Sequence, residues 1–283
     1  MKTWRMILSG AGDGFFNMAL DEALLISCQQ GSSPPVIRLY QWNPPAVSLG
    51  YFQSAGKAVD VRKCRKRGLH VVRRITGGRA VLHDEEITYG VCASSSRFPE
   101  LGENVGKTYR GLSLALLEAL RVLGVKADWI RPSAEIKPVP ASTVWSMPCF
   151  LSSSRYEVTV GGRKLVGSAQ RRFSTQAGQH VTHSFLQHGS ILTGKGRCDL
   201  AELLPDDSST GQLGNGLSEK STHLQAVLGR KVSIEEMASA IKRGFEQSFD
   251  CRLDASSVRE NELQTARVLR QEKYACDHWN LLR

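Results

Sequence analysis

The sequence predicts an α+β fold: a central, mostly antiparallel or mixed β-sheet flanked by helices. Two observations carry this. Helix-like and strand-like segments interleave without the regular strand–helix–strand rhythm of a parallel sheet. The runs Tyr156-Glu157-Val158-Thr159-Val160 and Arg163-Lys164-Leu165-Val166 bracket Gly161-Gly162, the signal of a tight antiparallel hairpin. At 283 residues the chain can bury an ample core. We read it as one domain over residues 1–283, its core at about 30–250, with a carboxy-terminal helical extension.

The elements follow in order. Phe16, Leu20, Ala23 and Leu24 recur at helical spacing and predict a first helix. Asp21 and Glu22 are placed near its start, where negative charge complements the helix dipole. Val36 to Tyr40 and Ala46 to Leu49 read as short strands. Ala55 to Arg67 reads as a helix closed by Gly68. Leu69 to Arg73 and Ile87 to Cys92 read as strands on either side of a glycine motif. Tyr109, Leu112, Leu116, Leu120 and Leu123 mark the clearest amphipathic helix, ended by Gly124. Residues 131–148, rich in Pro and Ser, read as a long loop. In the hairpin Thr159 faces Lys164, and simple alternation puts Lys164 on one sheet face with Val166 and Ser168. Asp206 to Ser221 is polar and reads as a flexible loop, and helices follow near Ile234–Phe249 and Ser257–Lys273.

Composition narrows the classes of function. The net charge of +10 favours acidic partners. The densest basic run, Arg62-Lys63-Cys64-Arg65-Lys66-Arg67, reads first as a solvated helix face and second as a docking face for an acidic protein. No zinc-finger, RNP-type or basic-zipper pattern accompanies it, so nucleic acid is not the expected partner. Seven cysteines without CxxC pairs point to free thiols in a reducing cytoplasm and to no metal site. No run reaches the roughly 18 apolar residues of a membrane span, and the first apolar run is too short for a signal peptide. A cytoplasmic monomer is expected.

Chemistry concentrates in two places. In Arg73-Arg74-Ile75-Thr76-Gly77-Gly78-Arg79-Ala80-Val81-Leu82-His83 the glycines let backbone N–H groups approach a ligand, and the arginines suit an anionic or carboxylate-bearing partner. A plain strand–turn–strand with solvated arginines explains the same residues. The second place is Met147-Pro148-Cys149-Phe150. Cys28, Cys64, Cys92, Cys198, Cys251 and Cys276 read as small hydrophobes in helix, strand or end contexts. Cys149 lies in a proline-containing loop, where a side chain can project into a cleft. On the residues alone it fits both a nucleophile and a core thiol. His83, His180, His183 and His188 are available to line a site.

These segments together resemble the biotin/lipoate protein ligase superfamily, and within it the cysteine-dependent octanoyltransferases of the LipM type. The resemblance runs through Arg38-Leu39-Tyr40, Pro45-Ala46-Val47-Ser48-Leu49-Gly50, the glycine motif, the Cys149 loop, Gly162-Arg163-Lys164, Gln187-His188-Gly189-Ser190 and Lys273-Tyr274. It implies that Cys149 is the nucleophile carrying an acyl thioester, and that Lys164 lowers its pKa and shuttles protons. It implies substrate binding by Arg74, Thr76, Gly77, Gly78, Arg79, Ala80, His83, Gly167, Ser168, Ala169 and His188. It implies octanoyl-acyl carrier protein as donor, a lipoyl-domain lysine, such as that of glycine cleavage H protein, as acceptor, and no cofactor. The chemistry is self-consistent: thioester exchange is nearly isoenergetic, and transfer to an amine is downhill without ATP. A free thiol is only about 3% thiolate at pH 7, so a nearby ammonium would help. Two rivals compete. An ATP-dependent lipoate or octanoate ligase of the same fold would form an acyl-adenylate without Cys149. Against it, Arg79 stands where ligases more often carry a third glycine, and the chain has little room for an extra carboxy-terminal domain. A non-catalytic basic binding module would leave Cys149 dispensable.

Overall fold

The structure, a computed structural model, describes residues 2–129, 157–177, 180–206 and 220–282. Cys149 and the loop expected at 131–148 lie outside the described residues, as does most of the polar stretch after Asp206.

Strand β1 (Lys2–Gly12) leads into α1 (Gly14–Gln29), whose N-cap is Asp13. β2 (Val36–Trp42) and β3 (Ala46–Leu49) follow. The helix expected over Ala55 to Arg67 divides into α2 (Ala55–Ala58) and α3 (Val61–Lys66), because Val59 is extended and Asp60 caps a new start. Gly68, at φ +70°, ends it as expected. β4 (His70–Arg73), β5 (Val81–His83) and β6 (Glu86–Ser94) surround the glycine motif, and α4 (Val105–Val122) is the amphipathic helix. β7 (Asp128–Trp129), β8 (Val158–Val160), β9 (Arg163–Ala177) and β10 (His180–Leu192) come next. α5 (Leu224–Leu228), α6 (Ile234–Phe249), β11 (Cys251–Ala255), α7 (Glu260–Leu269) and α8 (Asp277–Asn280) complete the described elements, with a π turn at Arg270–Tyr274.

Eight strands form one mixed sheet in the order β11-β1-β2-β6-β10-β9-β8-β7, and β4-β3-β5 form a second, smaller one. Only β1 pairs in parallel within the large sheet, with β11 and β2. Alternation sorts its two faces. Ile37, Leu39, Ile87, Tyr89, Val91, Phe185 and Ile191 pack with α4 and α6. Val36, Tyr40, Cys92 and Leu186 pack with α1 and α7.

The register then assembles a second pattern. Arg38 pairs Gly90, Gly90 pairs His188, and His188 pairs Ala169. One rung away, Tyr40 pairs Thr88, Thr88 pairs Ser190, and Ser190 pairs Gly167. Directly opposed residues share a face, so eight positions from four strands line up under α1.

The hairpin forms with both Gly161 and Gly162 at positive φ, as a two-residue turn demands. It also departs from the expected alternation. Val158 pairs Val166 while Thr159 pairs Lys164, so Leu165 is an inserted residue. Leu165 and Val166 both enter the α4 core. Lys164 therefore faces away from Val166, on the side that carries Gly167 and Ala169. A one-residue bulge reverses the lysine's direction.

Candidate active site

Asp21 was expected near a helix start, but α1 begins seven residues earlier, at Gly14. Asp21 instead points from mid-helix onto the two rungs. Arg38 Nη1 donates to its Oδ1 at 2.7 Å, and Tyr40 Oη to its Oδ2 at 2.9 Å. His188 Nδ1 lies 3.1 Å from the same Oδ2. Burial alone would raise the Asp21 pKa; Arg38 and His188 overcome this and hold it below the usual carboxylate range. With Nδ1–H donated to Asp21, the His188 Nε2 accepts the Thr76 hydroxyl at 2.7 Å. Burial pushes the His188 pKa down, and Arg38 already balances the Asp21 charge that would oppose this.

A parallel chain centres on Glu86. Its Oε1 meets His83 Nδ1 at 2.8 Å, Thr88 Oγ1 at 2.5 Å and Ser190 Oγ at 2.9 Å. The Trp42 indole N–H donates to Thr88 at 2.7 Å and the ring stacks on His83 at 4.0 Å. His83 Nε2 lies 2.7 Å from Ser48 Oγ.

The glycine motif is organised by Arg74. Its guanidinium donates to the carbonyls of Ser48, Gly77 and Arg79 and to Ser48 Oγ. Gly78 sits at φ +93°, and a Cβ there would lie 2.7 Å from Arg74 Nη2. A Cβ on Gly50 would lie 1.9 Å from the Gly78 carbonyl oxygen, so these two backbones touch.

Together these residues bound a cleft of about 480 Å³, counted out to its open mouth. Gly78 and Gly167–Ala169 form the mouth, since all are at least partly exposed. Trp42, Ser48, His83, Thr88 and Ser190 form the buried floor. Met18, Tyr40 and Val81 add apolar surface. Of the residues expected to bind substrate, Arg74, Gly78, His83, Gly167, Ser168, Ala169 and His188 border the cleft. Thr76, Gly77 and Arg79 support it through the bonds above. Ala80 packs instead with Val47 and Leu49 beneath the small sheet.

Lys164 is not part of the cleft's lining. It is buried, with Nζ 2.5 Å from Oε1 of a buried Glu157. Glu157 follows the segment containing Cys149 in the chain. Hairpin alternation was enough to find it: Glu157 shares a face with Thr159, which opposes Lys164.

Two expectations are corrected. Arg73 is fully buried, and its guanidinium donates to the carbonyls of Gly50, Tyr51, Gln53, Trp279, Asn280 and Leu282. It ties chain segments together rather than greeting an anion at the surface. Glu22, likewise mid-helix, holds Lys273 at 2.7 Å and Tyr274 Oη at 2.5 Å. Among the described residues, no group of three or more His, Cys, Asp or Glu could hold a metal ion. No described helix is long and apolar enough to cross a membrane.

The mixed sheet flanked by helices is the fold of a lipoyl protein ligase catalytic domain. The chain belongs to the lipoyl protein ligase A/B catalytic domain family, whose profile matches residues 13–246. Its relatives include octanoyltransferase LipM of Kyrpidia tusciae, 43% identical over 282 residues and 99% of each chain. Octanoyltransferase LipM of Bacillus subtilis is 38% identical over 284 residues, 100% of this chain and 99% of the relative. Among solved structures, lipoate-protein ligase A bound with ATP superposes with a TM-score of 0.75 at 26% identity, covering 99% of each chain. The bipartite lipoate protein ligase of Thermoplasma acidophilum reaches 0.77 at 26% identity, covering 100% of this chain and 98% of that one.

Proposed function

We propose that this chain is an octanoyltransferase of lipoate assembly, moving an octanoyl group to a lysine of a lipoyl domain through an acyl-cysteine. The observation that carries the reading is its full-length likeness to octanoyltransferases LipM. The donor is octanoyl-acyl carrier protein, and the acceptor is a lipoyl domain of the glycine cleavage H type.

In the first half-reaction the Cys149 thiolate attacks the donor carbonyl, a new C–S bond forms, and the carrier's C–S bond breaks. The Lys164 ammonium protonates the departing carrier thiolate. In the second, the acceptor amine attacks the acyl-cysteine and Cys149 leaves as thiolate. The amine's proton passes to Lys164, which had become neutral. Glu157, 2.5 Å from the Lys164 ammonium, orients it. In this reading, backbone N–H groups of the Gly77-Gly78 loop at the mouth stabilise the carbonyl oxygen as it becomes an oxyanion.

The ATP-bound ligase neighbour favours a second reading, activation of free octanoate as an adenylate. One assay separates the two. Transfer from octanoyl-acyl carrier protein to a lipoyl domain proceeds in an ATP-free mixture, with an octanoyl adduct on the enzyme released by neutral hydroxylamine. Product only from free octanoate plus ATP would establish the ligase.

A further inference from the structure

The cleft poses a problem. On the octanoyltransferase reading, an eight-carbon chain with its carbonyl at the mouth would reach the floor with its methyl, yet the floor is built from Ser48, His83, Thr88 and Ser190. Any hydroxyl or ring N–H turned toward that methyl would lose its partner on substrate binding, and orphaned donors are costly.

Proton accounting shows where those donors go. The Trp42 indole nitrogen can only donate, so Thr88 accepts from it and passes its own O–H to Glu86 Oε1. Ser190 donates to the same oxygen. His83 Nδ1 faces that oxygen as well, so it carries the hydrogen and leaves Nε2 as an acceptor. Arg74 donates to Ser48, which in turn donates to His83 Nε2. The donors of His83, Thr88 and Ser190 thus end on one oxygen of a carboxylate that is 1% exposed. The other oxygen, Oε2, is buried and has no hydrogen-bond partner among the described residues. Glu86 itself is not part of the lining.

We propose that Glu86 is a positioning residue that makes this polar floor selective for a hydrocarbon end: it collects the donors of His83, Thr88 and Ser190 behind the wall. The proposal rests on the octanoyltransferase reading for its substrate. The glutamine side chain removes the sink without changing its shape. A neutral carbonyl oxygen has two lone pairs and cannot keep three donors, and the amide NH₂ adds two more. At least one donor must then turn toward the lumen.

The test compares octanoyl with 8-hydroxyoctanoyl, both as carrier-protein thioesters in transfer and as free acids in equilibrium binding. The native protein should prefer octanoyl by about tenfold to a hundredfold in kcat/KM and in Kd, the range by which an apolar pocket rejects an added hydroxyl. Glu86→Gln should bring that ratio to within about threefold, by losing octanoyl affinity and gaining 8-hydroxyoctanoyl affinity, because its freed donor pairs with the added hydroxyl. Ser190→Ala removes a donor rather than the sink and should keep the octanoyl preference. An unchanged ratio in Glu86→Gln, or equal relaxation in Ser190→Ala, would overturn the proposal. Transfer of neither thioester by the native protein would refute the octanoyltransferase reading instead, and the free-acid Kd ratios would still judge Glu86. Should Glu86→Gln not fold, the proposal stands or falls on Glu86→Asp, whose shorter side chain draws the same donors less well and should narrow the ratio at least threefold.

Discussion

Lys164 and Glu157 form a buried pair whose charges face one another at 2.5 Å. Removing one partner of such a pair strands the other, at a cost of about 3–5 kcal/mol. Glu157→Gln should therefore weaken folding and slow transfer, because Lys164 loses the partner that orients it. A folded Glu157→Gln protein with an unchanged transfer rate would argue that Glu157 is purely structural. The described cysteines give a contrasting expectation. Burial pushes the Cys28 and Cys251 thiols up to about 12 and Cys64 to about 11. They should stay unmodified when octanoyl-acyl carrier protein labels Cys149, and Cys149→Ala should abolish both the adduct and transfer. Acylation of Cys28 or Cys251, read by peptide mass mapping, would contradict this. Asp21 and His188 make a third case. His188 is held below its ordinary value of 6.5, so the unfolded chain takes up a proton that the folded chain refuses. Stability should fall as pH drops below about 6.5, by at most about 1.4 kcal/mol per pH unit from this group. Asp21, depressed from 3.8, adds stability that is present above that value and lost only in stronger acid. His188→Gln should flatten the melting-temperature profile between pH 6.5 and 5, and an unchanged slope would contradict the assignment. Cys149, Lys164 and His188 were named as site residues from the sequence, but Asp21 and Glu86 were not. Asp21 read as a helix-dipole residue because sequence spacing says nothing about which strand a helix covers. Glu86 carried no signal, since its partners come from β5, β6 and β10.

At the scale of elements, strands and helices were read correctly where the periodicity was local. Ile234–Phe249 and Ala46–Leu49 match to the residue. Two misreadings share a cause: a single residue changed the local geometry. Asp60 restarted a helix that hydrophobic spacing joined, and Leu165 broke an alternation that the hairpin signal implied. The second matters more, because it carries Lys164 across the sheet. Arg73 links elements more widely apart. Its planar fork donates to carbonyls on two sides, a geometry that lysine cannot reproduce. Arg73→Lys should cost about 2–3 kcal/mol, lowering Tm by roughly 2–4 °C per kcal/mol. A loss below 1 °C in calorimetry would mean that the clamp contributes nothing measurable.

For the whole molecule, the charge of +10 does not translate into a bare cationic patch at α3. Lys63 pairs with Asp206, Arg65 with Asp277 and Arg67 with Glu202. Such exposed pairs contribute little to stability, yet they cancel local field. Arg73 and Arg74 are buried as well, whereas Arg62 and Lys66 stay exposed on α3. The Arg62→Ala/Lys66→Ala double variant should leave the carrier-protein KM within about twofold at moderate salt. A tenfold rise would restore docking at this helix.

The Arg73 clamp also sets a clock. The carbonyl of Leu282 lies 209 positions after the arginine it completes. A ribosome adding about 5–20 residues per second needs roughly 10–40 s to deliver it. Until then the Gly50–Gln53 turn, which touches the Gly78 carbonyl at the mouth, lacks the crosslink that joins it to the far segment. A nascent chain halted short of residue 282 should therefore lack this crosslink between the turn and the far segment.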